Sequence, residues 1–188
     1  MELVTPSERY LSSYVAAVER GFSPDTQRPE AAAETLAEIA RDPDTYLRAQ
    51  DDRAPVGQFV KRADGSLVVK IPGYIRWMWD GEFAGYVSLR WQDGTAALPD
   101  YVPGHIGYAV VPWKQRLGYA TEALRLILDD AVALGLPWAD LTTESGNLPS
   151  QRVILANGGE LIGEVAVDVA CVLESTRKFR IDLADRAA

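Results

Sequence analysis

The stretch from Val110 to Leu128 restricts this chain more than any other. An apolar run ends at Val111, Pro112 follows, and a short basic loop leads into Thr121-Glu122-Ala123-Leu124-Arg125-Leu126-Ile127-Leu128. Ala120, Leu124, Ile127, Leu128 and Ala131 recur on one side, with Glu122, Arg125, Asp129 and Asp130 on the other, which predicts an amphipathic helix over Thr121–Leu134. The unit reads strand, loop, helix. Such a loop turns several backbone N–H groups toward one point, and the helix adds unpaired N–H groups and the positive end of its dipole. Together they can hold a phosphate or pyrophosphate without a metal. Gly118 lets the backbone approach the anion closely, Ala120 keeps the first turn small, and Lys114, Arg116 and Arg125 form a basic patch around the loop.

Other phosphate-binding devices are missing from the sequence. There is no Gly-x-x-x-x-Gly-Lys-Ser/Thr, which excludes a P-loop, and no Gly-x-Gly-x-x-Gly with a downstream ribose acid, which argues against a dinucleotide fold. Instead the chain carries Gln115-x-x-Gly118-x-Ala120, an expected strand near Trp138–Thr143, then Asn147-Leu148-Pro149-Ser150, a short helix and Asn157-Gly158-Gly159. In order and spacing these resemble the two acetyl-CoA motifs of the GCN5-related N-acetyltransferases, the GNAT superfamily. The resemblance covers residues 75–183. Gly104-His105-Ile106-Gly107-Tyr108, Leu89-Arg90 and Asn157-Gly158-Gly159 further resemble a subgroup of predicted acetyltransferases, a label that gives no substrate. The resemblance implies an α/β fold with a mixed central β-sheet flanked by helices and two splayed parallel strands. It also implies acetyl-CoA as cosubstrate and direct attack by a small-molecule or peptide amine within a ternary complex.

Composition narrows the partners. The formal net charge of −8 argues against a general nucleic-acid binder, which depends on Lys and Arg to neutralise phosphates. An acidic surface favours cationic substrates at long range, or simply aids solubility. The single cysteine, Cys171, cannot form an internal disulfide, and its apolar setting in Val165–Leu173 reads as a strand thiol. No apolar stretch reaches membrane-spanning length, and the first residues lack a basic-then-apolar signal pattern. The expectation is a cytoplasmic protein without membrane contact; a homodimer is compatible with the sequence. No cluster of His, Cys or acids has metal-ligand spacing, so no metal is expected.

The length suits one domain over residues 1–188, with an N-terminal helical elaboration at 1–50 and a core at 56–183. Thr5-Pro6-Ser7-Glu8 has the form of a capping box, and Leu11, Tyr14, Val15 and Val18 follow at helical spacing up to Gly21. Glu30–Ala40 suits a second helix stopped by Asp42-Pro43. From Val56 the period becomes two. Strands are expected at Leu67–Ile71, Tyr74–Trp79, Phe83–Arg90, His105–Val111 and Ala139–Thr143, with turns at Asp64-Gly65 and Asp80-Gly81. Final strands are expected at Glu164–Leu173 and Arg177–Leu183. Trp91–Gly104 reads as a long loop, and Trp77 and Trp79 share one strand face suited to core packing.

By the resemblance, the pantetheine arm pairs with Gly107–Val111, and backbone N–H near Val110 faces the thioester carbonyl; Val110 and Val111 are also plain core-strand residues. Gln115, Arg116, Leu117, Gly118, Tyr119, Ala120 and Thr121 would hold the pyrophosphate. Asn147 and Ser150 would meet the cofactor amide, Asn147 also being a natural helix cap. The position where many family members carry a tyrosine acid is Ile154, leaving a neighbouring hydroxyl or water to serve the leaving thiolate. His105, the only histidine, suits a general base at neutral pH, and Glu144 is the rival; each also reads as a plain strand-end residue. Arg90 beside Trp91 forms a pair that could bind an acidic group on the acceptor. Two other readings stay open: a non-catalytic acyl-CoA sensor, and an acyltransferase that uses a longer acyl-CoA.

Overall fold

The computed structural model describes residues 1–25, 28, 30–61, 65–169 and 172–186. Strand β1 (Glu2–Val4) precedes three helices, α1 (Glu8–Glu19), α2 (Ala31–Arg41) and α3 (Pro43–Ala49). Short strands β2 (Asp51–Asp52), β3 (Phe59–Lys61) and β4 (Leu67–Val69) lead to β5 (Gly73–Trp79), β6 (Phe83–Arg90) and β7 (Ile106–Val110). Helix α4 (Tyr119–Ala133), β8 (Trp138–Glu144), α5 (Leu148–Ala156), β9 (Gly159–Val169) and β10 (Val172–Asp182) follow.

The expected mixed sheet is built as two antiparallel ladders, β1-β5-β6-β7 and β8-β10-β9. They meet along β7 and β8, which run parallel: His105 sits beside Asp140, and Tyr108 further on reaches Ser150 beyond the end of β8. Among the described residues, β3 and β4 pair with each other and with no other strand.

Burial explains the layers. On one face of the first ladder, Tyr14 and Val18 of α1 pack with Ile39, Trp77, Phe83 and Val111. Trp77 stacks on Tyr14, and Trp79 packs against Tyr10, so both tryptophans serve the core. On the other face Leu124, Ile127 and Leu128 of α4 are completely buried against residues of both ladders, including Val87, Leu89, Leu141 and Phe179. Each such side chain contributes about 1.5–3 kcal/mol on burial, so α4 fastens the seam between the ladders. At Gly85, φ is +150° and a Cβ would stand 2.2 Å from the Ala109 carbonyl oxygen, so only glycine permits this approach of β6 to β7.

Several boundaries depart from expectation. The capping box at Thr5-Pro6-Ser7-Glu8 is not formed. Pairing of β1 with β5 keeps the chain extended, Thr5 precedes a proline, and the helix starts at Glu8 with no side-chain bond from Ser7. Asp42 behaves as anticipated: it ends α2, and its carboxylate accepts the Thr45 N–H at 3.0 Å to begin α3. Strand β9 ends at Val169 and β10 begins at Val172, with these two residues paired, so the apolar run expected in one strand through Leu173 is shared between two. Cys171 and Asp64 lie outside the described residues.

Candidate active site

The two parallel strands are joined at their base and open beyond it. The backbone N–H of His105 donates to the Asp140 carbonyl at 2.7 Å. The Asp140 N–H does not reach a strand carbonyl; it donates to His105 Nδ1 at 3.0 Å. An imidazole thus stands where the carbonyl of a residue preceding His105 would pair in a regular parallel ladder, and on the open side the His105 carbonyl accepts the Arg90 N–H of β6 at 2.9 Å. The Asp140 carboxylate accepts both Nε (2.7 Å) and Nη2 (3.0 Å) of Arg180, with Lys178 at 3.0 Å. Burial alone would raise the Asp140 pKa, but Arg180 and Lys178 outweigh it and hold the carboxyl below its usual range.

Above this junction β7 offers a free edge. Antiparallel ladders alternate hydrogen-bonded and non-bonded pairs. The bonds Arg90 N–H to His105 O and Val111 N–H to Ala84 O fix 90/105, 88/107, 86/109 and 84/111 as the bonded pairs. The N–H and C=O groups of Ile106, Tyr108 and Val110 therefore point away from β6, into the gap facing β8. Val111 is fully buried beneath this edge.

The edge runs into the phosphate-type loop. A single 3-10 turn over Pro112–Lys114 is followed by Arg116 at φ +66° and Gly118 at φ +81°. Arg116 is the only non-glycine with positive φ among the described residues. These left-handed residues curl the chain into a concave nest before α4. Among the described residues, the N–H groups of Arg116, Leu117, Gly118, Tyr119, Ala120 and Thr121 have no protein acceptor. Gln115 Nε2 instead bonds the Val110 carbonyl at 3.5 Å.

The expected basic patch is mostly neutralised. Lys114 pairs with Asp80 and Glu82, and Arg125 pairs with Glu122 at 2.9 Å. Asp80 also accepts the Tyr119 hydroxyl at 2.6 Å, so the β5–β6 turn is tied to the loop on both sides. Arg116 is exposed and has no ion pair among the described residues. The turn signal at Asp80-Gly81 carries no trace of these contacts, whose partners lie 34 and 39 positions away.

Across the gap, Asn147 caps α5 by accepting the Ser150 N–H at 3.1 Å. Ser150 Oγ lies 2.8 Å from the hydroxyl of Tyr108, which crosses from β7. Burial pushes the Tyr108 pKa up to about 12 against the Ser150 hydrogen bond. Sequence reasoning missed Tyr108 as a polar group of the site; its place at the centre of the β7 motif was the available signal. Ile154 is buried. Asn157 closes α5 and donates to the Thr121 carbonyl at 3.1 Å, linking the two motifs.

The paired candidates separate. Glu144 is exposed at the open end of β8, whereas His105 is 1 % exposed at the closed end. A general base needs a lone pair free to take a proton, and the His105 lone pair on Nδ1 is occupied by the Asp140 N–H. This geometry runs against the catalytic expectation for His105. Burial also lowers its pKa, although the Asp140 charge opposes this. Arg90 and Trp91 also part company. Arg90 faces a cavity of about 350 Å³ between the N-terminal helices and the sheet. Trp91 lies in the opposite core against Tyr74, its indole N–H bonded to Asp93 at 3.0 Å. It does not join the cavity, because consecutive residues of an extended chain face opposite sides.

Among the described residues no helix is long and apolar enough to cross a membrane. None of their His, Cys, Asp and Glu side chains gather in threes where a metal ion could be held. A search of curated proteins finds no match. Among solved structures, RimJ from Mycobacterium smegmatis, in complex with CoA-disulfide, superimposes with a TM-score of 0.62 at 18% identity, covering 98% of this chain and 82% of that one. The microcin C7 self-immunity acetyltransferase MccE, in complex with acetyl-CoA and AMP, gives 0.61 at 12% identity over 96% and 91%. RimL, a ribosomal L7/L12 alpha-N-protein acetyltransferase in complex with coenzyme A, gives 0.60 at 14% identity over 96% and 92%. At these identities the likeness is one of fold. A family profile described as an acetyltransferase (GNAT) domain matches residues 26–160, well over half the sequence, and the chain therefore belongs to the GNAT family of N-acetyltransferases.

Proposed function

We propose that this enzyme transfers the acetyl group of acetyl-CoA to a small amine by direct attack in a ternary complex. The observation that carries the reading is the continuous array formed by the free β7 edge, the left-handed loop and the α4 N-terminus. Val110 and its neighbours would pair with the pantetheine arm, and Val111 would support that strand from the core. Gln115, Arg116, Leu117, Gly118, Tyr119, Ala120 and Thr121 would surround the pyrophosphate, most of them through backbone N–H groups. Asn147 and Ser150 would line the opposite wall. The CoA-bound fold neighbours support this choice of donor.

In the reaction the amine nitrogen attacks the thioester carbonyl carbon, a C–N bond forms and the C–S bond breaks. The Val110 N–H would stabilise the oxyanion. The proton lost by the amine would pass to Glu144 through water, and Tyr108, held on Ser150, would supply a proton to the thiolate. Arg90 would contact the acceptor. His105 then acts as a positioning residue that ties β7 to β8 at the base of the gap. We read residues 1–188 as one domain, because α1 and β5–β7 share a core, and cytoplasmic. The test is release of free CoA from acetyl-CoA on addition of an amine panel, without metal. Acetylated product from an amine supports the reading; acetyl-CoA binding without transfer to any amine overturns it in favour of a sensor.

A further inference from the structure

Arg90 is held in unusual electrostatic company. It is the last residue of β6, and its side chain lies over Gly107 of β7, where a Cβ would stand 3.0 Å from Nη2. Among the described residues its side chain donates to Ser88 Oγ at 3.3 Å, and that hydroxyl donates its own proton to the Gly107 carbonyl at 3.2 Å. Among the described residues no carboxylate pairs with it. The other charged groups at the cavity wall, Asp52 and Lys70, pair with each other at 2.6 Å. The phenols are also engaged: Tyr46 donates to Tyr14 at 2.8 Å, and Tyr86 donates to the Pro24 carbonyl at 2.9 Å. A half-buried guanidinium with most of its five N–H donors unused is costly unless something arrives to meet it. Burial pushes its pKa down, with Tyr86 opposing.

Resting on the acetyltransferase reading, we infer that the acceptor is a small aminocarboxylate, whose carboxylate docks on Arg90 while its amine reaches the open edge at Val110. A guanidinium matches a planar carboxylate with two parallel hydrogen bonds. One unneutralised cation balances one negative charge, which suits a carboxylate better than a phosphate dianion. The walls beside it, Tyr14, Trp77 and Tyr86, suit an apolar spacer. Gly107 and Val110 are separated by about 10 Å at the usual strand rise. After the hydrogen bonds at each end, the amine and carboxylate must stand about 5–8 Å apart. That spacing excludes α-amino acids acting through their α-amine. The uncompensated cation repels polyamines, despite the acidic character of the whole protein.

The experiment uses 4-aminobutyrate, 6-aminohexanoate and 4-(aminomethyl)benzoate, each beside its amine lacking the carboxylate, together with putrescine. We expect at least one aminocarboxylate to show kcat/KM tenfold or more above its matched amine. Arg90→Ala should erase that difference, costing the aminocarboxylate tenfold or more beyond any loss for its matched amine, while leaving acetyl-CoA affinity unchanged, and Arg90→Lys should keep part of it. Preference for putrescine or for the matched amines overturns the inference, as does equal loss for every amine in Arg90→Ala. If nothing is acetylated, calorimetry of the N-acetylated aminocarboxylates on the CoA-bound protein decides. Binding abolished by Arg90→Ala sustains the site and sinks only the transfer reading; absence of binding sinks the site.

Discussion

His105 and Asp140 exchange two hydrogen bonds, backbone N–H to carbonyl at 2.7 Å and backbone N–H to imidazole Nδ1 at 3.0 Å. The second closes the base of the junction: in a regular parallel pair the Asp140 N–H would meet the carbonyl two residues before His105, and the imidazole takes that place. On the open side the next bond would need the His105 carbonyl, which instead accepts the Arg90 N–H of β6 at 2.9 Å. The groups of β7 beyond this point are therefore left to the gap.

Replacing that acceptor should damage folding more than chemistry. His105→Ala leaves the buried Asp140 N–H unpaired, at a cost of about 1–3 kcal/mol, and removes the ring volume as well. His105→Asn places Oδ1 near the Nδ1 position and should recover most of the loss. Thermal unfolding in the presence and absence of CoA measures both. A His105→Ala enzyme that keeps wild-type stability and loses kcat by ~10²–10⁴ would return the residue to the role of base.

The same bond predicts a pH dependence. The folded-state pKa of His105 lies below 6.5, chiefly through burial. The unfolded chain therefore takes up this proton first as the pH falls. The contribution of the neutral ring is fully present above about pH 6.5 and is lost progressively from there down to the depressed folded value. Asp140 adds a loss at lower pH, since its folded pKa lies below the ordinary carboxylate value. Melting temperatures measured between pH 8 and 5 should fall in wild type, and should fall less in His105→Asn, which cannot titrate there. Equal slopes in the two proteins would reject the assignment.

How legible each feature was depends on how local its cause is. Helix α4 and β6 follow from periodicity and turn residues, and both lie within a few residues of where the sequence puts them. The Gly118 loop was legible because a positive φ and a helix start are local events. Strand β1 was not, because residues Glu2–Val4 become a strand only by pairing with β5. The cleft's polar logic was equally hidden: His105 meets Asp140 across 35 positions and Tyr108 meets Ser150 across 42. Lys114 looks like a phosphate ligand until Asp80 and Glu82 are folded beside it. Trp91 is a different failure, since alternation along an extended chain already separates it from Arg90.

The loop makes a metal-independent prediction. With Lys114 and Arg125 committed to carboxylates, Arg116 is the cation free to meet a pyrophosphate. Arg116→Ala should weaken CoA binding by about tenfold, the value of one charge-assisted hydrogen bond near 1.5 kcal/mol. Gly118→Asp should weaken it further, because φ is +81° there and a carboxylate would face the phosphates. Calorimetry with and without EDTA checks both. Loss of binding on chelation, or unaltered affinity in Gly118→Asp, would place the pyrophosphate elsewhere.

Tyr108 provides the sharpest test of the chemistry. Its hydroxyl is anchored on Ser150, and its pKa is pushed up to about 12, so it stays protonated at working pH and is a donor, not a base. A donor that protonates the departing thiolate contributes to the transition state and little to ground-state binding. Tyr108→Phe should therefore lower kcat by about 10² while acetyl-CoA affinity changes little. The loss should depend on the leaving group. An acetyl thioester of a more acidic thiol needs no proton, so wild type and Tyr108→Phe should converge on it. If the variant is slowed equally with both donors, Tyr108 is holding Ser150 and α5 in place, and thiolate departure is assisted by water alone.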